Sequence, residues 1–100
     1  MIVAEIGRDP KGKIIEFSVR NHGESYVCSA VSMLVLNTVN SIEKLTEQDF
    51  FCEFNENGGR VEFTLTSPQT REAGILLDAM LLGLRSVQEQ YPDEINLKEM

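Results

Sequence analysis

Four segments of the sequence alternate apolar and polar residues, and they come in two pairs, each joined by a turn signal. The first pair flanks Asp9-Pro10-Lys11-Gly12, and the second flanks Asn57-Gly58-Gly59. Alternation places one set of side chains on each face of a strand, while Pro, Asn and Gly suit the backbone of tight turns. The chain is therefore constrained to form two β-hairpins.

Each predicted strand has one apolar face. The faces consist of Ile2, Ala4 and Ile6; Ile15, Phe17 and Val19; Phe50, Cys52 and Phe54; and Val61, Phe63 and Leu65. This pattern is typical of half-buried strands, so we expect these faces to be covered by the rest of the chain. A short fifth strand is predicted around Ile95 and Leu97.

Two further segments have the helical period. The first begins at Tyr26, with Ser25 as a candidate N-cap, and the second is predicted to open at Ser67-Pro68 and end at Tyr91, before Pro92. The apolar stripe of the first helix comprises Val27, Val31, Leu34, Val35, Thr38, Val39, Ile42 and Leu45; that of the second comprises Leu76, Met80, Leu84, Val87 and Tyr91, widened by Leu77, Leu81 and Leu82.

The predicted order is β-β-α-β-β-α-β, and the fold class is α+β, with two helices packed on a mainly antiparallel sheet. We expect residues 1–100 to form a single domain. The wide apolar surface of the second helix has two interpretations. Either the helix is enclosed between the sheet and the first helix, or it forms the contact of a symmetric dimer.

Composition excludes several classes of protein. With 42% hydrophobic residues the chain is not of the disordered type, and its longest apolar run, Met33-Leu34-Val35-Leu36, is far below the ~20 residues of a membrane span. A net charge of −7 disfavours direct nucleic-acid binding and favours a basic partner. No signal peptide is visible, and two cysteines make no disulfide framework, so a cytoplasmic location is expected.

The most informative pair of residues is His22 and Cys28. His22 is the single histidine and lies in a polar loop, while Cys28 lies in the first turn of the predicted helix. The positive end of the helix dipole and a neighbouring imidazole both favour the thiolate, which is the nucleophilic form of cysteine. The pair therefore contains the minimal parts of a cysteine hydrolase.

Simpler interpretations exist for each of these residues. Cys28 on a helix is also typical of a small core side chain, and a lone histidine is also an ordinary surface residue. Ser32, one turn after Cys28, either supports the thiolate or the substrate, or is a small residue where the helix approaches the sheet. Cys52 is expected to be a buried structural residue. One histidine and two separated cysteines do not match a metal site, so no metal or cofactor is predicted.

A longer segment adds to this pattern. Residues 21–43 have the sequence NHGESYVCSAVSMLVLNTVNSIE, which resembles the signature of the bacterial ribosomal-processing cysteine protease family, Prp. His22, Cys28 and Ser32 match the family's histidine, cysteine and serine. Asn21 stands where the family usually has glycine, and Ser29 where it usually has alanine. The loop between His22 and Cys28 is short for the family.

The resemblance implies a homodimeric cysteine endopeptidase. It would remove a short N-terminal extension from large-subunit ribosomal protein twenty-seven, cutting after aromatic residues. Cys28 would be the nucleophile and His22 the general base and acid, with Asn21, Gly23, Ser29 and Ser32 as supporting or substrate-binding residues. The backbone N–H groups of Cys28 and Ser29 are candidates for the oxyanion site. The rival prediction is a non-catalytic dimeric module that binds ribosomal protein or the assembling ribosome.

Overall fold

The two predicted hairpins lie side by side in one five-stranded sheet. The computed structural model describes residues 1–21, 25–55 and 59–99. Its elements are β1 (Ile2–Arg8), β2 (Ile14–Arg20), α1 (Ser25–Leu45), β3 (Phe50–Asn55), β4 (Arg60–Leu65), α2 (Arg71–Gln90) and β5 (Ile95–Glu99). The strand order is β3-β4-β2-β1-β5, antiparallel throughout except for the parallel pair of β1 and β5. The predicted element order and fold class are confirmed.

The first hairpin contains an irregularity that the alternation did not predict. Gly7 lies opposite Glu16, but Arg8 lies opposite Ile14, so Ile15 is an extra residue in β2. Such a bulge shifts the residues beyond it to the other face. As a result Ile14, not Ile15, is fully buried, and the assignment of Ile15 to the core face is wrong.

Both helices cover the same face of the sheet. The face bears Ile2, Ala4, Ile6, Phe17, Val19 and Phe63, which form one buried cluster with Val27, Val31, Val35, Val39 and Ile42 of α1. The valines recur every four residues, as the helical stripe predicts. The predicted stripe extends too far at its end, because Leu45 is the last residue of α1 and is 75% exposed.

The second helix begins later than Ser67-Pro68. Thr70 is its N-cap, and the Thr70 hydroxyl accepts a hydrogen bond from the N–H of Ala73 at 3.2 Å. The buried residues of α2 are Ala73, Gly74, Leu77, Met80, Leu81 and Leu84. Leu76, Val87 and Tyr91 are only partly buried and Leu82 is exposed, so the buried face is rotated from the predicted one. Among the described residues no helix is long and apolar enough to cross a membrane.

The connection before α2 is held by a buried polar side chain. Gln48 is 6% exposed, and its amide nitrogen donates to the Asp49 carbonyl at 3.0 Å and to the Ser67 hydroxyl at 3.1 Å. Its amide oxygen accepts from the N–H of Thr70 at 2.7 Å. One side chain thus links the segment after α1 to the segment before α2, which explains why Ser67 and Pro68 stay outside the helix.

The last strand is fixed by charged side chains as well as by its parallel pairing with β1. Arg85 of α2 donates to the Glu99 carboxylate at 2.9 Å and 2.5 Å, and Arg8 of β1 donates at 3.3 Å. The hydrogen bonds from Arg85 are the main cause of a pKa of Glu99 below its ordinary value. The carboxylate therefore joins α2, β1 and β5.

We expect Gln48→Ala to lower the free energy of unfolding by about 1–2 kcal/mol, because the part-buried N–H of Thr70 loses its acceptor. The matched control is Glu47→Ala at the exposed neighbouring position, for which a change below about 0.5 kcal/mol is expected. Urea unfolding followed by circular dichroism measures both. Equal losses in the two variants would contradict a linking role for Gln48.

Candidate active site

An apolar groove of about 290 Å³ separates the first half of α1 from one end of the β3–β4 hairpin. Its helix wall is formed by Cys28, Val31, Ser32, Val35 and Leu36, and its sheet wall by Phe54, Asn55, Gly59, Arg60 and Val61. Ile2, Val19 and Asn21 complete the lining. The groove has the size and apolar character of a site for one or two large apolar side chains.

The helix wall follows from the spacing of α1. Cys28, Ser32 and Leu36 are four residues apart and lie along one side of the helix, beside the buried Val31 and Val35. At 1.5 Å per residue this wall is about 12 Å long, which matches three to four residues of an extended peptide. Cys28 is partly buried and packs against the core at one end of the wall.

The first turn of α1, which carries Cys28, is anchored on both sides. Val27 is fully buried beneath it, and the ring of Tyr26 packs edge-on against Tyr91, with 5.4 Å between ring centroids. Tyr91 caps the C-terminal end of α2. The helix includes Ser25 as its first residue, one position earlier than the prediction that made Ser25 the N-cap. The cysteine is therefore held by contacts to the sheet and to the second helix.

The sheet wall contains Phe54, whose face of β3 was predicted correctly but whose exposure was not. Phe54 shares a face with Phe50 and Cys52, and all three were expected to be covered. Phe50 does stack on Phe63, with ring centroids 5.0 Å apart, but Phe54 is 50% exposed in the groove. Alternation identifies the face of a strand but not how far the helices extend over it, so the pattern had no signal for this position.

Of the predicted site residues, three lie together in the groove. Asn21 follows β2 directly, and the groove brings it together with Cys28 and Ser32. Asn21 has φ 70°, the left-handed conformation that Gly adopts readily and Asn tolerates. Ser29 is exposed on α1 and does not line the groove. His22 and Gly23 lie outside the described residues.

The second cysteine has different surroundings. Cys52 is partly buried on β3 and does not line the groove, and its burial is incomplete because β3 is an edge strand. Burial raises the pKa of the Cys52 thiol, which reduces its nucleophilic form at neutral pH. Within residues 1–21, 25–55 and 59–99 no three His, Cys, Asp or Glu side chains are grouped closely enough to hold a metal ion.

The fold and the groove together define a class of protein. A cysteine in the first turn of a helix, at the end of an apolar groove, is the arrangement expected of a cysteine hydrolase on an α+β domain. Helix N-termini stabilise negative charge, which favours both a thiolate and a tetrahedral oxyanion. Cys28 lies at such a helix start, whereas Cys52 lies on a strand.

Comparison with known proteins gives the family. The model of the family described as cysteine protease Prp matches residues 1–96, so the chain belongs to that family and is a cysteine protease. It is 27% identical over 103 residues to the ribosomal processing cysteine protease Prp of Staphylococcus aureus, covering 97% of each chain.

Solved structures show the same likeness. The fold matches a crystal structure of the essential Staphylococcus aureus ribosomal processing protease Prp with a covalently linked product peptide, with a TM-score of 0.94 and 27% identity. A second structure of that protease, in complex with a substrate peptide, matches with a TM-score of 0.94 and 25% identity. Both comparisons cover 100% of each chain.

We expect the backbone of Asn21 to determine which substitutions it tolerates. Asn21→Val should lower the free energy of unfolding by about 1–2 kcal/mol, because a β-branched residue is strained at φ 70°, whereas Asn21→Gly should change it by less than about 0.5 kcal/mol. Asn40, exposed within α1, is the control. At position 40 the Gly variant should lose more free energy of unfolding than the Val variant, because Gly is the poorer helix former. Thermal unfolding of the four variants measures this, and the same order at both positions would argue against the left-handed conformation.

Proposed function

We propose that the chain is a processing endopeptidase that removes a short N-terminal extension from large-subunit ribosomal protein twenty-seven, cutting after paired aromatic residues. The observation that carries the proposal is the position of Cys28 at one end of an apolar groove of about 290 Å³. The proposal is further supported by the Staphylococcus aureus relative, which is a ribosomal processing protease solved with substrate and product peptides.

In the proposed reaction, Cys28 and His22 act as a dyad. The Cys28 sulfur attacks the scissile carbonyl carbon while His22 takes the thiol proton, and the C–N bond breaks as His22 returns that proton to the leaving amine. This produces a thioester between Cys28 and the aromatic end of the extension. A water molecule then attacks the thioester, with His22 accepting its proton, and the acid product leaves as the thiol re-forms.

The start of α1 stabilises the charge that develops during both steps. We propose that the positive end of the α1 dipole stabilises the oxyanion; the N–H groups of Cys28 and Ser29, the expected donors, lie beyond the first three residues of α1, where N–H groups have acceptors within the helix. Ser32 lies one turn further along the same groove wall, where its hydroxyl can bind the substrate backbone. Asn21 and Gly23 flank His22 in sequence and are proposed to position the segment that carries it.

The overall charge fits this substrate. The chain carries 16 acidic and 9 basic side chains, for a net charge of −7, and a ribosomal protein rich in lysine is attracted by it. Opposite charge of this kind increases the association rate more than the affinity. A cytoplasmic location, where ribosomal proteins are made, is part of the same proposal.

We also propose that the chain acts as a homodimer. On α2, Ile75 and Leu82 are 58% and 62% exposed, and their spacing of seven residues places them on one side of the helix. Large apolar side chains grouped in this way are typical of a protein–protein contact.

Light scattering at micromolar concentration should give about twice the 11.3 kDa of one chain. A mass of 11.3 kDa would refute the dimer, and Leu82→Glu should produce that mass.

The central experiment is a digestion analysed by mass spectrometry. We expect the protein to cut the N-terminal segment of ribosomal protein twenty-seven once, after an aromatic pair. Cys28→Ala should lose activity by at least about a thousandfold, because no other group forms the thioester, and His22→Ala by at least about a hundredfold. Cys52→Ala is the matched control and should retain nearly full activity, since Cys52 does not line the groove.

The outcomes of the digestion separate the alternatives. Cutting by Cys28→Ala at the wild-type rate would refute the nucleophile. An intact peptide that still binds wild-type protein would favour the non-catalytic module that binds ribosomal protein. An intact peptide that does not bind would refute the substrate assignment, while leaving membership of the protease family in place.

A further inference from the structure

The helix-facing side of the sheet carries a group of aromatic rings that continues from the core into the groove. Phe17 and Phe63 stack with centroids 4.8 Å apart, and Phe50 stacks on Phe63 at 5.0 Å. Phe54 shares this side of the sheet, opposite Val61, yet it is 50% exposed. It is therefore a ring of the apolar face that the two helices leave half uncovered.

The position of this ring relative to Cys28 is what gives it a function. Cys28 lies on the helix wall and Phe54 on the sheet wall of the same groove. Val31 and Val35 on the helix wall and Val61 on the sheet wall also line the groove, so its surface is mainly apolar. An aromatic side chain bound in this groove would lie between a wall that carries Cys28 and a wall that carries Phe54.

We propose that Phe54 is the residue that selects aromatic side chains in the substrate, by packing its exposed ring against an aromatic residue that precedes the scissile bond. Aromatic pairs in stacked or edge-on geometry are favoured beyond the area that they bury. An aliphatic side chain in the same place gains the burial but not the ring–ring term. The inference rests on the proposed function, since it assigns the aromatic preference to one residue of that site.

The same strand provides a matched control. Phe51 is 60% exposed, slightly more than Phe54, and lies three residues earlier on β3. The odd spacing places it on the opposite face of the sheet, and it does not line the groove. Removal of Phe51 therefore removes a similar exposed ring without changing the groove.

The test compares Phe54→Ala, Phe54→Tyr and Phe51→Ala on two peptides. The first peptide is the N-terminal segment of ribosomal protein twenty-seven with both aromatic residues, and the second has Leu in place of both. For the aromatic peptide, Phe54→Ala should lower kcat/KM by about 5- to 30-fold, mainly through KM. Phe54→Tyr and Phe51→Ala should stay within about twofold of wild type.

The Leu peptide distinguishes selection from general packing. If Phe54 binds the aromatic ring, Phe54→Ala should lower kcat/KM for the aromatic peptide more than for the Leu peptide, by a factor of at least about 2, so the preference of wild type for the aromatic peptide falls. Equal losses on both peptides would overturn the inference, because Phe54 would then only shape the groove. Equal losses in Phe54→Ala and Phe51→Ala would overturn it as well.

A binding measurement makes the result independent of turnover. Fluorescence anisotropy measures the affinity of both labelled peptides for the Cys28→Ala protein. Addition of Phe54→Ala should weaken binding of the aromatic peptide more than binding of the Leu peptide. If wild type cuts neither peptide, the proposed substrate fails, but a ring-specific loss of binding still confirms the role of Phe54. If wild type cuts the aromatic peptide and Phe54→Ala matches it, only the inference about Phe54 fails. Phe54→Leu serves in place of Phe54→Ala should the alanine variant unfold.

Discussion

The structure depends on the burial of the valine stripe of α1 on the central strands. Val27, Val31 and Val35 are all at most 3% exposed and belong to one cluster with Ile2 and Ala4 of β1. Valine has few side-chain rotamers in a helix, so this contact fixes both the rotation of α1 and its position along the sheet. The position of Cys28 follows directly, because it is the residue after Val27 and lies partly buried at the edge of that contact.

The groove exists because the sheet is wider than the layer that covers it. With the order β3-β4-β2-β1-β5, the second hairpin is at one edge, and the α1 stripe packs in one cluster with residues of β1, β2 and β4. The part of this gap nearest the core is closed by aromatic rings, because Phe63 stacks on Phe17 and Phe50 stacks on Phe63. The far part, at the end of β3 and the start of β4, is left open between helix and sheet. A strand order with β3 and β4 at the centre would bury this surface and remove the groove.

The regular strands and helices could be predicted from the sequence. Two hairpins, two helices and their order follow from periods of 2 and 3.6, and Cys28 could be placed at a helix start by the same pattern. Local exceptions were missed: the bulge at Ile15, the late start of α2 at Thr70, and the exposure of Leu45. Each depends on a contact between distant segments or on where an element ends. The sheet wall of the groove was missed for the same reason. The exposure of Phe54 is set by how far the helices extend over the sheet, and the period of a strand carries no information about that.

The exposure of Phe54 also has an energetic consequence for binding. Full burial of a phenylalanine side chain contributes about 2–3 kcal/mol, so a ring that is 50% exposed leaves about 1 kcal/mol unrealised in the free protein. A side chain that covers the ring realises this contribution at the moment of binding, without displacing any packed residue. The helix wall carries the proposed nucleophile, Cys28, and is fixed by the core, whereas the sheet wall offers uncovered apolar surface. The proposal therefore assigns chemistry and recognition to different elements. A change in the sheet wall would alter which side chain is bound while the first turn of α1 keeps its contacts with Tyr91 and the core.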